Sequence, residues 1–168
     1  MVWKDALLGK MITLNFHEMG PVARYTTFVS LPNAVPAVDF YHPISSLNAE
    51  FNRYFFYDAE TGDLQERFIA DACEDAQPFF PNFGGVILSD QSGQFAMGAY
   101  AVNVFRGGSI TALVLLRHVC GDGAYSRIDV IRSGDVPAGY SKYNAYFMTG
   151  TVEKVRQYMD TLFKRRVK

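Results

Sequence analysis

The run FGGVILSDQSGQFAMGAY, residues 83–100, constrains the fold of this chain more than any other stretch. Its two ends are apolar and suit a pleated, half-buried surface, while Asp90 and Gly93 between them are residues that reverse a chain tightly. The pattern predicts a β-hairpin. The run holds no nucleophile beside a base, no set of metal ligands and no phosphate-cradling loop, so it describes architecture and leaves chemistry to be sought elsewhere.

Alternation rather than helical periodicity runs from about Met11 to Met148, with turn residues returning roughly every ten positions, the spacing of a sandwich or barrel. Between Arg24 and Leu31, Tyr25, Thr27, Val29 and Leu31 fall on one face, and Arg24, Thr26, Phe28 and Ser30 on another that should be wet. The segment NRYFFY at 52–57 leads through the polar DAETGD at 58–63 to Leu64, which predicts a second hairpin. Ile110 to Val119 is a nearly continuous apolar run, as expected of a mid-sheet strand covered on both faces. Leu47 to Asn52 reads as a helical turn entered through Ser45 or Ser46, and Trp3 to Met11 as a short helix or an edge strand. The chain closes on one clear helix at about 151–165. Thr151 can cap it, and Val152, Val155, Met159 and Leu162 share a stripe flanked by Tyr158 and Phe163. That stripe must pack on the β domain. With 168 residues, enough for one core and short for two, the expectation over 1–168 is a single all-β domain. It should be a mainly antiparallel β-sandwich or partly closed barrel with a C-terminal α-helix.

Sixteen basic and seventeen acidic side chains leave a formal net charge of −1, so no long-range field recruits nucleic acid or an anionic membrane. The basic cluster of Lys164, Arg165, Arg166 and Lys168 falls at the end of the expected helix, where cations complement the helix dipole. Met1 to Leu8 is interrupted by Lys4 and Asp5 and reads as neither secretion signal nor membrane span, which predicts a soluble chain of unassigned compartment. The lack of an Asn-x-Ser/Thr site fits a bacterial-type protein. Cys73 and Cys120, 47 residues apart, match no metal-ligand spacing and read as two buried free thiols in preference to a disulfide.

Chemistry must come from scattered residues. His17, His42 and His118 have no second His or Cys within strand or helix reach, so neither a metal site nor any other cofactor is expected. Gly121-x-Gly123 lacks the third glycine of a dinucleotide fingerprint, and Asp122 lacks the companions of a calcium loop. His17–Glu18 and Asp39-x-x-His42 each bring an acid near a histidine. Strand geometry sends His17 and Glu18 to opposite faces, whereas Pro43 biases His42 toward an extended or turn conformation and leaves it as the catalytic acid–base candidate. The acids at 58, 60, 63, 71, 74, 75, 122, 129 and 135 cluster in apparent turns, where carboxylates are ordinarily solvated rather than paired across a cleft. Whether the chain is an enzyme stays open on these residues.

Fourteen Phe and ten Tyr give more ring area than a core of this size requires, so some rings should line a surface or pocket. Arg53, Tyr54 and Tyr57, with Arg24, Tyr25, Tyr41 and Tyr100, offer planar donors and ring faces of the kind that hold sugars. Ordinary strand packing uses the same residue types. The order GGVILSD at 84–90, FAMGAY at 95–100 and YFMTGTVEKVRQY at 146–158 resembles β-sandwich domains of bacterial carbohydrate-active proteins. In those domains a strand, a turn and a small-residue strand ending Gly-x-Tyr precede a Gly-Thr segment that enters a short helix. The resemblance covers the second half of the chain and its motifs are structural, so it implies a sugar-related role and carries over no catalytic residue. The reading is a carbohydrate-binding or carbohydrate-processing accessory domain, with its ligand on a sheet face or in a cleft bordered by the 70–83 loop. Arg53, Tyr57 and Tyr100 would contact the glycan and His42 would serve any acid–base step. Two classes compete with it. One is a lipocalin-like binder of a small apolar ligand inside a closed barrel, the other a non-catalytic interaction module that buries its exposed aromatics in a homodimer.

Overall fold

The computed structural model describes residues 5–58, 61–69, 71, 73, 79–80, 84–101, 110–121 and 123–165, with backbone alone at 40–45, 79–80, 110–112 and 132. In chain order its strands are β1 (Leu7–Thr13), β2 (Val22–Leu31), β3 (Val35–Asn48), β4 (Arg53–Tyr57), β5 (Leu64–Arg67), β6 (Phe79–Phe80), β7 (Gly85–Ser89), β8 (Ala96–Ala101), β9 (Ile110–Cys120), β10 (Gly123–Val136) and β11 (Gly139–Gly150), followed by helix α1 (Val152–Lys164). Seven strands form one antiparallel sheet in the order β1-β2-β11-β8-β7-β4-β5, and four form a second in the order β3-β10-β9-β6. The described sheets do not close into a barrel, so of the two expected forms the structure takes the sandwich-like one. The fold is a sandwich with an appended helix.

Local chemistry sets both expected hairpins. Ser89 pairs with Ala96, the Asp90 amide donates to the Phe95 carbonyl at 3.0 Å, and Gly93 turns the chain at φ 73°. In the second, Tyr57 pairs with Leu64, and the Asp58 amide donates to the Asp63 carbonyl at 2.9 Å. Thr151 caps α1 by accepting from the Lys154 amide, as its position in the sequence predicts. β1 is the edge strand that 3–11 allowed, with residues 1–4 outside the described set.

Period-2 alternation gives the seven-stranded sheet two buried faces. Toward the second sheet it directs Tyr54, Phe56, Val86, Leu88, Ala99 and Phe147, which pack against Leu113, Leu115, Ile128 and Val130. Toward α1 it directs Phe55, Tyr57, Ile87, Tyr100, Tyr146 and Met148, which pack against Val155, Met159 and Leu162. β9 lies between β10 and β6 with Leu113, Val114, Leu115 and Leu116 all buried, as its unbroken apolar run requires. The arrangement is helix, sheet, sheet.

Glycine decides how closely the helix approaches. A Cβ on Gly98 would collide with Val155 Cγ1 and lie 2.8 Å from Met159 Cε, and one on Gly85 would lie 2.7 Å from Met159 Sδ.

Several expectations change. β3 runs as a strand through Asn48, so 47–52 is no helical turn, and the chain reverses only at Ala49–Glu50. Pairing with β10 overrides the local capping signal of Ser45 and Ser46. The second face of β2 is not wet, because other side chains cover it: Arg24 lies 4.6 Å from the centre of the Phe16 ring, Thr26 is buried with its hydroxyl on Asn144 at 2.8 Å, Phe28 meets the Tyr140 ring at 6.0 Å, and Arg24, Phe28 and Ser30 are half-buried. Asp129 and Asp135 sit in β10 rather than in turns, Asp129 fully buried beside Arg127 at 2.9 Å. Cys73 and Cys120 form a disulfide, with Cα atoms 4.7 Å apart, because tertiary structure closes the 47-residue separation that sequence could not. In the chain-entropy treatment such a closure contributes about 4 kcal/mol. Among the described residues no helix is long and apolar enough to cross a membrane.

Replacing Gly98 by Ala should lower the unfolding free energy by about 1–3 kcal/mol, because the β-branched Val155 cannot swing aside. Gly85→Ala should cost less, since the far end of Met159 can move. Urea unfolding of both variants checks this, and equal costs would refute the close-approach argument.

Candidate functional site

Three elements meet at the rim of the helix layer. The β7–β8 turn lies against the start of α1, where the Val152 amide donates to the Gly93 carbonyl at 3.0 Å, and Arg53 at the start of β4 reaches under that turn. Between them is an open groove of about 350 Å³ lined by Arg53, Phe55, Ser92, Gly93, Gln94, Thr151, Val152 and Glu153. Its volume falls in the range of small-ligand sites.

Arg53 is held from three directions. Its Nε and Nη2 donate to the two carboxylate oxygens of Glu66 at 2.7 and 2.8 Å, and Nη1 donates to the Gln91 carbonyl at 3.2 Å. The guanidinium carbon lies 5.0 Å from the centre of the Phe55 ring. Three of five N–H donors are thereby used, and two are left for a ligand. The hydrogen bond and charge of Glu66 raise the Arg53 pKa, and the same bond holds the Glu66 carboxyl below its ordinary value. Asp90 is likewise lowered, first by the Ser92 hydroxyl and then by the turn's backbone amides. Gln94 continues directly into Phe95, whose side chain is 68% exposed. At the helix, Glu153 occupies the first turn and accepts from Gln157 Nε2 at 3.2 Å.

The candidates chosen from sequence are not all at this groove. Arg53 lines it. Tyr57 and Tyr100 share Arg53's face of the sheet, as alternation requires, but α1 lies over them and both are buried, Tyr57 completely. Register explains their company: Thr13, Arg24, Tyr146, Tyr100, Gly85, Tyr57 and Leu64 form one continuous cross-strand row over the whole sheet. The Tyr57 hydroxyl donates to Asp160 Oδ1 of α1 at 2.7 Å. His42 lies on β3 at a bulge, since Ile131 pairs with Tyr41 and Asp129 with Ile44, leaving His42 and Pro43 opposite Val130 alone. Its side chain is outside the described residues, as are Asp122 and most of the 70–83 loop. His17 is exposed with φ 53°, and His118 stacks on Tyr125 at 4.7 Å. Among the described residues no three His, Cys, Asp or Glu side chains gather as a metal site. Ser92, Gln94, Thr151 and Glu153 went unread in the sequence as ligand contacts, because the first two looked like turn residues and the others like a helix start.

No family model matches this chain, and no curated protein matches it.

Burial pushes the Tyr100 and Tyr146 hydroxyls up from 10.0 to about 12, and burial with the Asp160 bond raises Tyr57 further. Below pH 10 these groups are protonated in folded and unfolded chains alike. Above it the unfolded chain loses its protons first, so stability should fall as pH rises from about 10 to 12, by up to about 1.4 kcal/mol per pH unit for each tyrosine. The Tyr146 hydroxyl has no partner among the described residues, so Tyr146→Phe should flatten that decline with little cost at neutral pH. Urea midpoints measured in steps across the window test this; a variant as pH-sensitive as the parent would contradict it.

Proposed function

We propose that this chain is a non-catalytic binding module that takes a neutral carbohydrate in the groove at Arg53. The observation that carries the reading is the pre-set guanidinium, clamped by Glu66 and Gln91 with two donors left over, in a groove also lined by the hydroxyls of Ser92 and Thr151, the carboxamide of Gln94 and the carboxylate of Glu153. Vicinal hydroxyls need such a mixture of donors and acceptors around them. Charge favours a neutral ligand, because Arg53, the one cation lining the groove among the described residues, is already paired with Glu66, and Glu153 adds a negative charge at the helix start. The weak resemblance of residues 84–158 to carbohydrate-active β-sandwich domains agrees with this reading.

Calorimetric titration with neutral mono- and oligosaccharides should detect binding, and Arg53→Ala should weaken it at least tenfold, about 1.4 kcal/mol, through the lost charge-assisted hydrogen bonds. Gln94→Ala should weaken it with little effect on stability, since Gln94 is exposed. If no sugar bound at about 10 mM, a concentration above the weakest affinity expected of such a groove, or if Arg53→Ala bound as the parent does, the proposal would fail.

A further inference from the structure

The strand edges of this sandwich are treated unequally. β3, an edge of the second sheet, is broken by two bulges, each with a proline: Pro36–Ala37 opposite Asp135, and His42–Pro43 opposite Val130. Ala37 there takes a φ of 52°. β5, the far edge of the seven-stranded sheet, spans four residues and carries Glu66 and Arg67. Such devices keep edges from pairing with other chains. β1 has only one of them, the single charge of Lys10. It runs seven residues in unbroken register against β2, from Leu7–Ser30 to Thr13–Arg24, with no proline, no bulge and one charge, Lys10. No described strand pairs with its outer side. Leu7, Leu8, Met11, Ile12 and the following Leu14 are between 41% and 75% exposed and occupy both faces of the strand.

We propose that the occupant of this edge is β1 of a second copy of the chain, paired antiparallel about a two-fold axis through Met11. A two-fold perpendicular to the sheet keeps each face on its own side, so paired residues must share parity. Centring on Lys10 would set two lysines against each other. Centring on Met11 sets Met11 on Met11, Leu8 on Leu14 and Lys10 on Ile12, with no like charges opposed. Taking roughly 170 Å² for a fully exposed aliphatic residue, the five residues can bury at most about 500 Å² per copy and about 1,000 Å² per pair, the size of a weak, transient interface. The dimer is therefore expected to be micromolar rather than obligate. Its surface is separate from the groove at Arg53, so the two proposals stand or fall independently.

Sedimentation velocity from about 1 to 200 µM, a span bracketing micromolar affinity, should show the 18.8 kDa chain shifting to twice its mass. Met11→Glu should remain monomeric across that range, Met11→Lys likewise, and an equimolar mixture of the two should recover the dimer, because the axis sets the opposite charges face to face. Phe68→Ser, at the far edge, should dimerise as the parent does. Hydrogen exchange at β1 amides should slow with concentration in the parent alone, which keeps the test decisive if a substitution impairs folding. A parent monomeric throughout, or a Met11→Glu variant that still dimerises, would overturn the proposal.

Discussion

The seven-stranded sheet must bury both of its faces, and the rest of the molecule is arranged to meet that need. Its strands carry large apolar or aromatic residues in both phases of the pleat, so a single partner layer would leave half of them in water. The four-stranded sheet covers one face. The other is left to a single helix of thirteen residues, which can seal it only by sitting very close. Gly85 and Gly98 permit that approach, since the side-chain atoms of α1 occupy the space their Cβ atoms would fill.

The candidate groove is a by-product of the same docking. Because α1 starts directly over the β7–β8 turn, the Gly93 carbonyl accepts the Val152 amide, and the helix start and the turn become two walls of one depression. Arg53 forms the third wall. Its pairing with Glu66 is exposed and so adds little to stability, on the order of 0–1 kcal/mol, but it fixes the guanidinium plane before any ligand arrives. The site is thus positioned by the core and owes its polarity to residues the core does not use.

Much of this architecture was legible because it is local. Asp90 and Gly93 specify their turn within six residues, and Thr151 with the stripe Val155, Met159, Leu162 specifies the helix. Covered faces were not legible. Alternation correctly put Arg53, Tyr57 and Tyr100 on one side of a sheet, yet nothing near them in sequence says that a helix some fifty residues beyond Tyr100 will lie over the two tyrosines and spare the arginine. The same limit hid the Cys73–Cys120 bond, the burial of Asp129 and the extension of β3 through two prolines, each fixed by a partner distant in the chain. The groove itself joins residues 53, 55, 92–94 and 151–153, which share no motif.

β4 shows how five residues can connect all of these layers. Arg53, Phe55 and Tyr57 point toward the helix, and Tyr54 and Phe56 toward the second sheet. Phenylalanine would fill the space of either tyrosine, so the hydroxyls need a reason. That of Tyr57 bonds Asp160 on α1, while that of Tyr54, 2.8 Å from Ser126 Oγ, reaches β10. Because Ser126 gives its own proton to the Phe51 carbonyl, Tyr54 is the donor in that buried bond. Apolar contact is tolerant of small slides between layers, whereas a buried hydrogen bond is not, since a shift of an ångström leaves both groups unpaired at about 1–3 kcal/mol. The two tyrosines therefore fix where each outer layer sits on the central sheet, and with α1 fixed, so are the helix start and the groove it forms with Arg53.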